Sequence, residues 1–199
     1  MDIKKRIIKD ARYLFITFGI RSVTMDTIAE EIGMSKRTIY ENFKDKDDLL
    51  KQCIEVAMSN HRDISEDIIN NSENIIEATF KFIKNSISII NKINPLFFFD
   101  IKKYYPELFV QKIKESDIRS HNRIAELLKR GIKEDLFRSD INVEIVTKLI
   151  LEQFKMLSNN ELFPSEKFSK IDVFENIVIN FIRGISTKKG LQLIEEYSS

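Results

Sequence analysis

A single cysteine among 199 residues leaves no internal disulfide to staple the chain and suits a reducing compartment. Five glycines and three prolines are too few for many short strands joined by tight turns, and they favour long helices. No apolar run reaches the roughly 18 residues that a membrane span needs. The opening stretch MDIKKRIIKDARYLF lacks the unbroken apolar core of a secretory signal. These absences set the expectation of a cytoplasmic protein with no membrane partner. A dominant charge is missing as well: 32 Lys+Arg against 31 Asp+Glu leave a net charge of +1, so attraction to nucleic acid must come from local clustering. There is no nucleophile motif, no Glu-x-x-His pair and no phosphate-cradling glycine loop. His61 and His121 stand far apart and belong to no metal-ligand spacing, so neither a metal nor a cofactor is expected, and an enzyme built on a helical bundle is disfavoured. No internal repeat or low-complexity run interrupts the chain.

What is present is 43% hydrophobic and 32% charged residues, enough for one or two small soluble domains with ample core. The most informative stretch is Thr24–Phe43, TMDTIAEEIGMSKRTIYENF. Thr24 is an N-cap residue type, and Ile28, Ala29 and Ile32 fall on one helical face. Gly33 stands where a left-handed C′ residue is wanted. Ser35 can cap a second helix that buries Ile39 and Phe43. Lys36, Arg37, Thr38, Tyr40, Glu41 and Asn42 remain for its outer face. Two short helices held at a fixed angle by converging apolar stripes are the logic of a helix-turn-helix, whose second helix enters the DNA major groove.

Upstream, residues 3–18 predict an amphipathic helix with Ile7, Ile8, Ala11, Leu14, Phe15 and Phe18 on its apolar stripe and Lys4, Lys5, Lys9 and Arg12 on its wet face. Downstream, Asp45 reads as the N-cap of a helix from about Lys46 to Asn70, with Asp48 placed to reach back as a capping-box acid. That helix start, helped by Lys44 and Lys46, has two readings: a phosphate site or ordinary capping. Cys53 on the same helix reads as a small buried hydrophobe. Further helices are expected over 74–93, 96–105, 106–133, 142–157 and 172–187. Asn94-Pro95 breaks the first of these, and Pro106 starts another at N1. Residues 189–197 read as a short closing helix or a fraying tail. The fold class is all-α, with residues 1–45 as a helix-turn-helix domain and 46–199 as a second helical domain.

Residues 7–50 resemble the DNA-binding domain of the tetracycline-repressor (TetR) family of bacterial transcription regulators. The resemblance is carried by ARYLFITFGI and then SVTMDTIAEEIGMSKRTIYENFKDKDDLL, through Ala29, Gly33, Ser35, Lys36, Tyr40, Phe43, Lys46 and Leu49. Arg37 stands where a small residue is often found, and Glu41-Asn42 where many members carry His-Tyr. These departures bear on the operator sequence, not on the mode of binding. The resemblance implies three N-terminal helices for DNA, a connecting fourth helix, and a helical C-terminal domain that binds a small ligand and dimerises. Thr24, Ser35, Lys36, Arg37, Thr38, Tyr40, Glu41, Asn42, Lys44 and Lys46 are then the expected DNA-binding residues. Arg37 could grip a guanine, whereas Glu41 has two readings, contact with a cytosine amino group or simple charge balance.

Phe82, Phe98, Phe99, Tyr104, Tyr105, Phe109 and Phe154 are the candidates for a ligand-binding set, against the alternative that such aromatics are plain core. Homodimerisation is assigned to residues 142–187, whose two helices carry more apolar face than one protomer needs. The expected protein is a homodimeric repressor released from a palindromic operator on double-stranded DNA by an unknown small-molecule effector. The alternative is a DNA-binding adaptor or architectural protein that senses nothing.

Overall fold

The computed structural model describes residues 2–156, 161–164 and 166–198, and of residue 109 and residues 111–119 the backbone alone. The described residues form ten α-helices: α1 (Ile3–Phe18), α2 (Met25–Glu31), α3 (Lys36–Asn42), α4 (Lys46–Asn70), α5 (Ile75–Ile90), α6 (Pro95–Tyr104), α7 (Pro106–Lys133), α8 (Val143–Met156), α9 (Lys170–Ile185) and α10 (Lys188–Ser198). The helices expected from periodicity are all present, displaced by a few residues at their ends. The fifth stops at Ile90 instead of running to residue 93. The amides of Lys92 and Ile93 donate to carbonyls three residues back, and that of Asn94 leaves the helix for Ile16 O. Phe109 and Ile113 lie outside the residues whose side chains are described, and Leu157 lies outside the described residues.

The chain divides into two compact units, Met1–Glu66 with Ile89–Lys112, and Asp67–Ser88 with Ile113–Ser199. This grouping takes α6 and most of α4 together with the N-terminal helices.

In the first unit α1 starts at Asp2, whose carboxylate accepts from Lys4 N, and buries Ile7, Ile8, Ala11, Leu14 and Phe15. Phe18 departs from the expected stripe and is half exposed, because the helix ends there and the chain turns at Gly19. The carbonyls left over at the end of α1 are taken by Asn94. Its N–H donates to Ile16 O at 2.7 Å and its Nδ2 to Thr17 O at 2.9 Å. The same side chain caps α6 by accepting from Leu96 N at 2.9 Å. One residue thus serves a helix end and a helix start. Ile20, Ile28, Ile39, Phe43, Leu49 and Leu50 complete this core.

In the second unit Ile76, Leu128, Leu136, Phe174, Ile182 and Ile194 form the centre. Arg130 on α7 donates to Ile69 O at 2.7 Å and Ser72 O at 2.9 Å, and pairs with Glu134 at 2.6 Å. Glu134 in turn accepts from Ile75 N at 2.7 Å. This pair closes the last turn of α4 and opens α5. Gly190 is required by close approach, since a Cβ there would collide with the Leu136 carbonyl oxygen.

Candidate nucleic-acid interface

Local chemistry sets the pair α2 and α3. The Thr24 hydroxyl accepts from Thr27 N at 3.1 Å, and the Ser35 hydroxyl accepts from Thr38 N at 3.1 Å, so each helix has its N-cap. Between them Gly33 sits at φ 64°, in the left-handed region that its position predicted. Met34 N then donates to Ala29 O at 2.9 Å and closes the turn. Ile28 and Ile39 are fully buried and fix the angle from inside. From α1, Arg6 donates to Ile32 O at 2.9 Å and holds the turn from outside.

The outer face of α3 carries the expected residues, and their surroundings sort them. Tyr40 is half exposed. Arg37 is the most open cation, its side chain 88% exposed, with Nε donating to Glu41 Oε1 at 2.9 Å. Lys36 is also exposed, but its ammonium pairs with Asp26 on α2 and so ties the two helices together. Thr38 is half-buried, and its hydroxyl pairs with that of Ser35 at 2.9 Å. Asn42 is half-buried and turns its amide nitrogen back to Thr38 O at 2.8 Å.

At the start of α4 the expected capping is present in a shifted form. Asp48 N donates to Asp45 Oδ1 at 2.8 Å, but Asp48 Oδ2 accepts from Lys44 N, at 3.0 Å, one residue before the cap. The Lys44 side chain is exposed. Lys46 is placed otherwise than expected. Its Nζ donates to Ile20 O at 2.6 Å and lies 6.0 Å from the Phe15 ring centre. Burial lowers its pKa from the usual lysine value. The ammonium closes the α1–α2 turn, and Asp45, Asp47 and Asp48 crowd the same helix end. Of the two lysines expected at a phosphate, Lys46 has its ammonium engaged at Ile20 O, and Lys44 has its side chain exposed.

Of the residues considered for a ligand, Phe98, Phe99, Tyr104 and Tyr105 belong to the first unit, and Phe82 and Phe154 to the second. Phe98 and Phe99 are exposed on α6. Tyr104 accepts from Arg21 Nη1 at 2.9 Å, with the guanidinium 4.7 Å from its ring centre. Tyr105 donates to Asp47 Oδ1 at 3.0 Å; burial, and then Asp47, push its phenol up to about 12. Both hydroxyls thus fasten the end of α6 to the N-terminal helices, at the α1–α2 turn and the start of α4. Beside them the buried carboxylate of Asp100 accepts from Arg21 N at 2.8 Å. Phe82 and Phe154 are half-buried against the second core, and Phe154 stacks on Phe174 at 6.0 Å. Cys53 is buried as expected, its thiol pushed up to about 12 by desolvation.

Sequence reasoning missed Asp26, Arg21 and Asp100. Arg21 and Asp100 lie 79 residues apart, and no local pattern links them. Among the described residues no group of three His, Cys, Asp or Glu side chains could hold a metal ion, and no helix is long and apolar enough to cross a membrane.

A capped pair of short helices on a third, with a polar outer face on the second, defines a helix-turn-helix DNA-binding regulator. The family model described as bacterial regulatory proteins, tetR family, matches residues 7–53. Residues 7–53 thus carry a DNA-binding domain of the tetR type, and the match does not extend to the rest of the chain. Along 183 residues it is 24% identical to the uncharacterized HTH-type transcriptional regulator YvaF of Bacillus subtilis (strain 168), covering 92% of this chain and 95% of that protein. In fold it is similar to a TetR transcription regulator from Haloarcula marismortui (TM-score 0.74, 16% identity, 92% of this chain and 98% of the other). It is likewise similar to a transcriptional regulator from Cytophaga hutchinsonii (TM-score 0.71, 20% identity, 92% and 98%).

Proposed function

We propose that the protein is a homodimeric repressor that binds a palindromic operator and is released from it by a small molecule. The observation that carries the DNA part of this reading is the outer face of α3. Arg37 and Tyr40 are exposed, with Thr38 and Asn42 half-buried on a helix that the buried Ile39 anchors, and Lys44 is exposed just beyond it. Arg37 and its neighbours read base edges, while Tyr40 and Lys44 meet phosphates. Ser35 and Thr24 hold the two helix starts, and Lys36 and Lys46 hold the head together.

Dimerisation through residues 142–187 is supported by α8. Ile145, Leu149 and Met156 follow one another on one face of that helix and are all exposed in the single protomer. Two heads related by a twofold axis then address half-sites about 34–36 Å apart.

The effector part is supported by Asn85 on α5, whose Nδ2 is buried with no hydrogen-bond partner among the described residues. A buried donor left unmade costs about 1–3 kcal/mol, and an acceptor atom on a bound molecule would offset that cost. The chain enters α6 from α5 and leaves it into α7, and both of those helices also carry residues of the second unit. Within the first unit α6 is joined to the α1–α2 turn through Asp100 and Tyr104. The effector acts only by preferring the arrangement that does not bind DNA.

The test is fluorescence anisotropy with the duplex upstream of the protein's own gene against a scrambled duplex of equal length. The expected result is preference for the native duplex, weakened at least tenfold by Arg37→Ala and weakened also by Tyr40→Phe, with the dimer intact in sedimentation. Equal affinity for both duplexes would overturn the reading.

A further inference from the structure

An i, i+4 pair on an exposed helix face adds little stability by itself. The pair Arg37–Glu41 differs from an ordinary one in which atoms it uses. Glu41 Oε1 takes the Nε hydrogen of Arg37. Neither Nη1 nor Nη2 has a hydrogen-bond or ion-pair partner among the described residues. Lys36, the other cation of α3, is tied to Asp26. Lys36 keeps donors of its own but is a point charge paired toward α2; Arg37 alone on the reading helix can offer a planar two-donor fork, and its unpaired donors are the two Nη groups at its tip. A guanine presents O6 and N7 to the major groove, and two parallel N–H groups match them.

Holding Nε from behind has two consequences. It restrains a long side chain that otherwise loses rotamer freedom on binding. It also selects the end-on fork, Nη1 with Nη2, over the side-on fork that uses Nε. We infer that Glu41 is a positioning residue: it buttresses Arg37 through Nε so that the two Nη groups read one guanine in each half-site. The inference rests on α3 being the reading helix. It assigns Glu41 a role other than contact with a cytosine amino group or balance of charge.

The experiment selects bound duplexes from a pool with randomised half-sites, using the full-length wild type, Arg37→Ala, Glu41→Gln, Glu41→Asp and the double variant Arg37→Ala/Glu41→Gln. The wild type is expected to enrich guanine at one position per half-site by about tenfold or more. Arg37→Ala should flatten that position. Glu41→Gln should cut guanine preference at the same position severalfold and leave the other positions unchanged. Glu41→Asp, one methylene shorter, keeps the charge but loses the reach to Nε and should behave like Glu41→Gln. The double variant should match Arg37→Ala alone.

Three results would overturn the assignment: guanine preference unchanged in Glu41→Gln, loss in Glu41→Gln but not in Glu41→Asp, or a change at a different base pair from the one that Arg37→Ala affects. The last would make Glu41 a base reader itself. If the wild type enriches no sequence at all, the reading of α3 fails and this assignment with it.

Discussion

Two lysines of the same motif, Lys44 and Lys46, differ in what their ammonium groups touch. Lys44 is exposed, whereas Lys46 donates to Ile20 O and is half-buried. A hydrogen bond from a charged donor contributes about 1.5–3 kcal/mol when shielded and less near water. Lys46→Met is therefore expected to lower stability by about 1 kcal/mol, while Lys44→Met leaves the melting temperature where it was. Thermal melts of the two variants decide this, and equal melting points would refute the difference. In DNA binding the order should reverse. Lys44→Met should flatten the salt dependence of affinity by about one phosphate contact per protomer. From residue types alone the two side chains look alike, because both flank the same N-cap. Only the turn at Ile20, brought under Lys46 by the fold, separates them.

Helix α4 is fastened at its start and α6 at its middle and end, and each fastening has its own consequence. At α4 the carboxyl of Asp48 is held below the usual carboxylate range, first by the Gln52 side-chain amide and then by Lys44 N–H. A lowered native pKa means that this contribution is complete above the ordinary carboxylate pKa and is lost as pH falls through the lowered one. Asp48→Asn should therefore reduce the pH dependence of stability on the acid side and leave the dependence above neutrality unchanged, as followed by melting at a series of pH values. At α6 the buried Asp100 ties the helix to Arg21 in the α1–α2 turn. Asp100→Ala should cost about 1–3 kcal/mol and weaken operator binding while the dimer persists. Tyr104→Phe, which removes an exposed hydroxyl partner of Arg21, should leave the melting temperature nearly unchanged. Wild-type DNA affinity in Asp100→Ala would remove α6 from the path between effector and head. The Asn94-Pro95 step was legible as a helix boundary. That Asn94 also satisfies the end of α1 was not, since its acceptors lie 77 and 78 residues earlier in the chain.

For the whole molecule, the expected dimer rests on the exposed stripe of α8. Ile145 is 56% and Leu149 50% exposed in the protomer, and a charge placed there should be harmless unless a second copy covers it. Ile145→Glu with Leu149→Lys is therefore expected to give a folded monomer with unchanged helical content, as read by sedimentation and circular dichroism. Because one head alone cannot span two half-sites, operator affinity should fall by orders of magnitude in the same variant. A dimer surviving both changes would place the interface elsewhere.

Periodicity, caps and punctuation determined the all-α class, the bounds of the helices to within a few residues, and the DNA-reading stretch. Helix faces repeat over short distances, and Thr24, Gly33, Ser35 and Asp45 act on backbone groups within a few residues of themselves. The tertiary structure alone decided which cations of the head face outward, that α6 belongs with the N-terminal helices, and that Tyr104 and Tyr105 are fasteners of that helix. Each of those outcomes depends on partners distant in the chain, Asp100 and Arg21 among them, and no local spacing records who meets whom once the core has closed.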